Sequence, residues 1–370
     1  MKIAMFGHKR IPSREGGVEI VVGELSVRMA ALGHQVTCYN RGGHHVSGAE
    51  FDDRMPDNYN GVRLKTVPTL DKKGLAAVTA SFFAGICAAF GKADVVHIHA
   101  EGPAFFCWLP KLFGKRVVVT VHGLDWQREK WKSGFGAKFI HAGEKMAVRF
   151  ADEIIVLSRN VQDYFLETYG RKTVWIPNGV SRPETFDADL IRQLGLEKDG
   201  YILFLGRLVP EKGIHYLIEA YQNVNTEKKL VIAGGTSDTD GYVSQLKELT
   251  GKNQNVLFTD FVQGRLLAEL YSNAYLYVLP SDVEGMPLSL LEAMSYGNCC
   301  VVSDIPECAE VVEDKAVTFR RGDVMHLTEC LQLLGDDSGL AAKMKAAAAD
   351  FICSKYSWDD VTEKTLELYQ

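Results

Sequence analysis

The stretch "YVLPSDVEGMPLSLLEAMSYG", residues 277–297, reads as strand, loop and helix in one line. An apolar run closes at Pro280 and a polar loop follows. Leu288, Leu290, Leu291, Ala293 and Met294 then recur at helical spacing. Glu284 stands in the loop and Glu292 inside the helix, with seven residues between them. A half-buried carboxylate costs roughly several kcal/mol of desolvation unless something binds it. The rest of the chain has to supply what these two bind.

The strand–loop–helix pattern recurs along the whole chain. In the first half the strand candidates are "KIAMFG", "QVTCYN", "VRLKTVP", "DVVHIHA", "RVVVTVHG", "EIIVLS" and "TVWIPNG", with amphipathic segments between most of them. Runs of Val and Ile with little alternation indicate strands covered on both faces, hence a parallel sheet with crossover helices. Residues 180–200, "VSRPETFDADLIRQLGLEKDG", carry no such run and read as a connection. A second series follows in "YILFLGRL", "KLVIAGG", "NVLFTDF", "YLYVLP", "CCVVSD" and "AVTFRR". The expected fold class is α/β, with two doubly wound parallel-sheet domains facing a cleft. No repeat of short period is visible.

A length of 370 residues suits two domains better than one core. The eight cysteines include no C-x-x-C pair and mostly sit in apolar segments, a pattern of reduced, buried thiols. "MKIAMFG" runs straight into polar "HKRIPSREGG", which is not a signal peptide, so a cytoplasmic protein is expected. The longest uncharged run, "GLAAVTASFFAGICAAFG" at 74–91, is short and rich in small residues, so a buried helix is preferred over a membrane span. Residues 1–180 hold 24 Lys+Arg against 17 Asp+Glu, and 181–370 hold 17 against 30. Opposite balances suit two domains with different partners, the first an anionic one, though solvated faces vary this much by chance.

In open parallel sheets ligands bind beyond the carboxyl ends of the strands, so the residues just after each strand carry the chemistry. Gly16 and Gly17 precede a helix start, where backbone N–H groups can meet an anion, or where the chain merely turns. His122, Gly123 and Asp125 follow "RVVVTV"; the histidine is a site candidate or is satisfied locally. "GRLVPEKG" places Gly206, Arg207 and Lys212 in one loop, a guanidinium and an ammonium five residues apart. They form a diphosphate clamp or two solvated cations. There is no G-x-G-x-x-G and no P-loop, which lowers the dehydrogenase and NTPase readings. Asp238, Thr239 and Asp240 have the chemistry for a divalent metal, yet helix capping explains them more cheaply, and no metal is expected.

"GRLVPEKG" followed by "EGMPLSLLE" resembles the family-4 retaining glycosyltransferases of GT-B fold, and "GGVE", "VHG" at 121–123 and "PNGV" at 177–180 are similar landmarks in the family's order. "RIPSREGGVEI" with "VHGLDWQREKW" further resembles a bacterial rhamnosyltransferase-type subgroup of surface-polysaccharide synthesis. That subgroup more often has tyrosine where this chain has Glu15.

The resemblance implies a nucleoside diphosphate sugar as donor, with dTDP-rhamnose or a UDP-hexose favoured, and no cofactor. It implies an N-terminal acceptor domain at 1–180 plus about 355–370 and a C-terminal donor domain at 181–354. Carried over by position, Arg207 and Lys212 hold the diphosphate, Glu284 the sugar hydroxyls and Glu292 the ribose. Gly16, Gly17, Gly206, Gly285, Met286 and Leu288 join the donor site, and His122 lines the sugar pocket. Asp125, Trp126 and Asn178 are candidates on the acceptor side.

The acceptor it implies is a saccharide or a polyprenyl-diphosphate-linked sugar at the inner face of the cytoplasmic membrane. Lys111, Lys115, Arg116, Lys138, Lys145 and Arg149, near apolar "FFCWLPKLFG", suit contact with anionic lipid, and no nucleic-acid partner is expected. Two rivals share the architecture: a nucleotide-sugar epimerase of GT-B fold, and a catalytically inactive accessory subunit.

Overall fold

The computed structural model describes residues 1–43, 57–72, 74–127, 135–235 and 240–370. The chain divides into two compact units. Unit 1 is residues 1–179 with 358–370, and unit 2 is residues 180–357.

Unit 1 is built on β1 (Lys2–Phe6), β2 (Gln35–Arg41), β3 (Asn58–Tyr59), β4 (Val62–Val67), β5 (Val95–His99), β6 (Arg116–Val121), β7 (Glu153–Val156) and β8 (Val174–Trp175). Their order across the sheet is β3-β4-β2-β1-β5-β6-β7-β8. Among the described strands only β3, paired with β4, runs antiparallel. Val96, Ile98, Val117, Val119 and Ile154 are fully buried because helices cover both faces, which is why these strands read as unbroken apolar runs.

The helix Gly17–Ala31 packs through Val21, Val22, Leu25 and Met29, and the helix Leu75–Phe90 through Ala76, Ala80, Ala84 and Ala88. The second helix turns Phe82, Phe83 and Phe90 outward. Among the described residues no helix is long and apolar enough to cross a membrane.

Unit 2 is built on β9 (Tyr201–Leu205), β10 (Lys229–Ala233), β11 (Val256–Asp260), β12 (Leu276–Leu279), β13 (Cys299–Ser303) and β14 (Val317–Phe319). The order is β11-β10-β9-β12-β13-β14, with every pair parallel. The order reverses between β9 and β12 in unit 2 and between β1 and β5 in unit 1. Crossover helices leave those two neighbours on opposite faces, opening a crevice at their carboxyl ends. The quoted stretch is β12, its exit loop and the helix Leu288–Ser295, so it lies at such a reversal.

Two segments add detail to the reading of the sequence. Residues 180–200, read as a connection, are part of unit 2. Phe186 N–H donates to Ser272 Oγ at 3.1 Å, Asn273 Nδ2 to Phe186 O at 2.9 Å, and Asp189 N–H to Glu269 Oε2 at 2.9 Å. The guanidinium of Arg265 also lies over the Phe186 ring, 3.7 Å from its centre. Ile191 and Leu196 are buried here too, but isolated apolar anchors make no strand-like run. The closing helix Trp358–Glu367 lies in unit 1, where Tyr369 Oη meets His97 Nδ1 at 2.6 Å and Arg116 Nε donates to Leu368 O at 2.6 Å.

Candidate functional site

In unit 2 the exits of β9 and β12 press together. Gly213 ends the short turn Pro210–Lys212 with φ +64°, and a Cβ there would lie 2.0 Å from Pro280 O. Any other residue would force the two loops apart. Asp282 N–H donates to Glu211 O at 2.8 Å across the same seam. On the other side, Gly206 N–H donates to Ala233 O and Leu208 N–H to Gly235 O, both at 3.0 Å, which stitches the loop to the exit of β10. Gly234 permits that approach, since a Cβ on it would meet Gly206 O at 1.8 Å.

This clamp brings Lys212 and Glu284 together. Lys212 Nζ lies 2.5 Å from Glu284 Oε1, with side-chain exposures of 13% and 9%. Ser281 Oγ donates to the same oxygen at 2.6 Å, while Ser303 Oγ holds Ser281 O at 2.6 Å. The cation assigned to the diphosphate and the carboxylate assigned to the sugar hydroxyls are partners in this structure. Arg207 is half-buried in the same loop, directly after β9.

Gly285, Met286 and Leu288 are buried and lead into the helix Leu288–Ser295. Pro287 at its N-cap offers no side-chain cap, so the helix start keeps its partial positive charge for a bound anion. Glu292 lies half-buried in the second turn. Tyr277, on β12, donates to Ser289 Oγ at 2.8 Å. Burial above all, and after it neighbours that include Glu284 and Glu292, hold its phenol far above the usual range.

In unit 1, Gly16 and Gly17 do open a helix, but the space before Gly16 belongs to Glu19. A Cβ on Gly16 would fall 2.5 Å from Glu19 Oε2, and Lys9 N–H donates to Glu19 Oε1 at 2.8 Å. The chain's own carboxylate sits where an anion was expected. Beside it a buried ion pair joins Arg10 Nη2 and Glu15 Oε1 at 3.2 Å.

His122 follows β6, and its Nε2 stands 3.1 Å from Nδ1 of fully buried His99. Asp125 N–H donates to Glu101 Oε2 at 2.8 Å, and Trp126 stacks on His141 with ring centres 5.3 Å apart. Asn178 is buried after β8, apart from that group in the chain. Of the six cations proposed for lipid contact, three are engaged internally. Lys111 pairs with Asp152, Lys115 Nζ donates to Gly91 O, and Arg116 donates to Leu368 O. Lys138, Lys145 and Arg149 are exposed on the helix Phe135–Phe150. Asp238 and Thr239 lie outside the described residues, and so does the side chain of Asp240.

Sequence reasoning missed the histidines that cluster with His122. His97 and His99 alternate on one face of β5 with ring centres 4.1 Å apart, and the His8 ring follows β1. Burial lowers all three, His97 to about 3, so they are neutral. The signal was present as two histidines spaced i, i+2 at the end of an apolar strand.

Two family models match the chain: Glycosyltransferase Family 4 over residues 15–182 and Glycosyl transferases group 1 over residues 187–351. An uncharacterised glycosyltransferase of Methanocaldococcus jannaschii is 27% identical over 100% of this chain and 98% of its own length. The fold is similar to a sucrose-phosphate synthase from Thermosynechococcus elongatus, with TM-score 0.83, 21% identity, and coverage of 100% of this chain and 98% of that one. It is also similar to HepE of Anabaena, solved in complex with UDP and glucose, with TM-score 0.81, 18% identity, and coverage of 99% and 98%. Two doubly wound parallel sheets, and family matches that follow one another along almost the whole chain, place this protein among the group 1 and family 4 glycosyltransferases of GT-B fold.

Proposed function

We propose that the chain transfers a sugar from a nucleoside diphosphate sugar to a hydroxyl of a surface polysaccharide or lipid-linked saccharide, with retention of the anomeric configuration. The observation that carries this is the Lys212–Glu284 pair at the β9/β12 reversal, beside Arg207 and an uncapped helix start. Breaking a sugar–phosphate bond leaves negative charge on the diphosphate. Fixed cations aimed at that charge act more strongly in the transition state than in the ground state. Arg207, Lys212 and the N–H groups at Gly285, Met286 and Leu288 meet the diphosphate. Glu284 takes sugar hydroxyls and Glu292 the ribose.

Donor binding then exchanges partners. Lys212 leaves Glu284 for phosphate, and Glu284 is freed to accept from the sugar. His122 acts toward the sugar being transferred, and the departing phosphate accepts the acceptor's proton, without a metal ion. The donor is dTDP-rhamnose or a UDP-hexose; the likeness to HepE, whose complex holds UDP and glucose, supports the latter.

Unit 1 takes the acceptor, polyprenyl-diphosphate-linked or saccharide, at the cytoplasmic face of the membrane. Supporting this, Phe90, Leu112 and Phe113 are exposed at 68%, 69% and 48%, with the rings of Phe90 and Phe113 4.4 Å apart. Exposed aromatics near Lys92 suit the interfacial region of an anionic bilayer.

A donor-hydrolysis screen over UDP-, GDP- and dTDP-sugars tests the reading. One donor should be consumed faster when an alcohol acceptor is added, and Lys212→Ala should abolish the difference. Consumption indifferent to any acceptor would favour an epimerase, and no consumption at all would favour an accessory subunit.

A further inference from the structure

Glu101 opens the helix Glu101–Ala104 just after β5, and Glu144 lies within the helix Phe135–Phe150. Both side chains are buried, with residue exposures of 1% and 0%. Their backbones approach closely, since a Cβ on Gly143 would sit 2.0 Å from Glu101 O.

Each carboxyl has one oxygen answered by a donor. Glu101 Oε2 accepts from Asp125 N–H at 2.8 Å. Glu144 Oε1 accepts from Tyr164 Oη at 2.9 Å and from Tyr169 Oη. Among the described residues, Glu101 Oε1 and Glu144 Oε2 are buried with no partner. His141 Nδ1, at 4.0 Å from Glu144 Oε1, is beyond hydrogen-bond reach and stacks on Trp126.

Two carboxylates facing each other in such a place cannot both be ionised without a large cost. A single proton between Glu101 Oε1 and Glu144 Oε2 satisfies both orphaned oxygens. Glu144 Oε1 already accepts from two phenols, whereas burial and the charge of Asp125 favour the protonated form of Glu101, so the proton is placed on Glu101.

We infer that Glu101 and Glu144 form a buried pair sharing one proton, and that Glu101, through Asp125 N–H, is a positioning residue for the loop bearing His122, Asp125 and Trp126. The catalytic meaning of that loop rests on the proposed function; the shared proton does not. Burial, the charge of Asp125 and the contact with Glu144 all push the Glu101 carboxyl well above the usual carboxylate range. The other groups facing the pair are His141 from its own helix and Tyr164 and Tyr169 from the helix Arg159–Tyr169. Burial and Glu144 raise the Tyr164 phenol to about 12, so the tyrosines remain donors while the pair titrates. His99 nearby is neutral. Loss of the shared proton sets two carboxylates and Asp125 against one another and releases the loop.

Infrared spectroscopy of the full chain at about pH 8 should show the carbonyl stretch of one protonated carboxyl, absent from both Glu101→Gln and Glu144→Gln. Either carboxamide replaces the shared proton with an N–H, so both variants should fold. Hydrogen exchange at the Asp125 amide should accelerate as the wild type is taken to alkaline pH. It should not accelerate in Glu101→Gln, and it should be fast at all pH in Glu101→Ala. With an accepted donor, the alkaline limb of kcat/KM should flatten in Glu101→Gln, and Glu101→Ala should lose on the order of tenfold. If no protonated carboxyl responds to Glu101→Gln, the shared proton is refuted, whatever reaction the protein performs. Exchange at Asp125 that ignores Glu101→Ala overturns the positioning role, even should no sugar donor prove to be a substrate.

Discussion

Unit 1 and unit 2 reverse strand order at the same point of their sheets, yet the side chains gathered there differ in kind. At the β9/β12 reversal the polar groups are charged and compensated, with Lys212 against Glu284 and the uncapped start of Leu288–Ser295 alongside. At the β1/β5 reversal the buried Arg10–Glu15 ion pair stands beside groups neutralised by proton uptake or loss. His8, His97 and His99 are held unprotonated, and Glu101 is held protonated. A ligand anion can displace a carboxylate from a lysine and leave the charge count balanced. A buried histidine cluster has no such exchange to offer and suits neutral ligand groups such as hydroxyls. One topology thus gathers a charged, compensated pair in unit 2, where we propose the anion binds, and proton-sensitive groups in unit 1.

The sharpest way to break that comparison is to remove a cation from unit 2. Arg207→Ala or Lys212→Ala should lower kcat/KM by about 10²–10³, as loss of a charge-stabilising donor does; near-full activity in both variants would undo the clamp. Gly213→Ala comes next. Its left-handed backbone and the 2.0 Å approach to Pro280 O force the β9 and β12 loops apart, costing on the order of 1–3 kcal/mol of unit 2 stability in urea titration. An unchanged midpoint would show that the loops are not clamped.

Acid should separate the units. Below an ordinary histidine pKa of about 6.5 the unfolded chain takes up protons that the buried rings refuse. Each ring then withdraws about 1.4 kcal/mol per pH unit, for His97 down to about 3. Glu101 acts in the opposite sense. Its folded pKa is raised, so its stabilising share is largest at low pH and falls as pH rises above the usual carboxylate value. Unit 1 should therefore be most stable in the weakly acidic to neutral range. Hydrogen exchange should show β5 and β6 loosening in acid before β9 and β12; simultaneous loss would place the acid-sensitive groups elsewhere. The smallest effect concerns the surface. Lys138→Ala, Lys145→Ala and Arg149→Ala should each weaken binding to anionic vesicles by about 1 kcal/mol, less in high salt. Equal binding by the triple variant would confine any lipid contact to other residues.

The sequence by itself determined the strands, since Val and Ile runs such as "RVVVTV" have only one place to hide from water, between two helical layers. It also determined which loops to read, because ligands gather where parallel strands end. It did not show how residues 180–200 would be fastened within unit 2, since the hydrogen bonds of Phe186 and Asp189 leave no apolar signature. Nor could it pair Lys212 with Glu284 or Glu101 with Glu144, which lie 72 and 43 positions apart. Local pattern reports what a side chain is and which way its strand or helix turns it. Whether two such side chains meet, and whether a proton or a counter-charge settles the meeting, is decided only when crossovers bring distant strand ends and helix faces within hydrogen-bond reach.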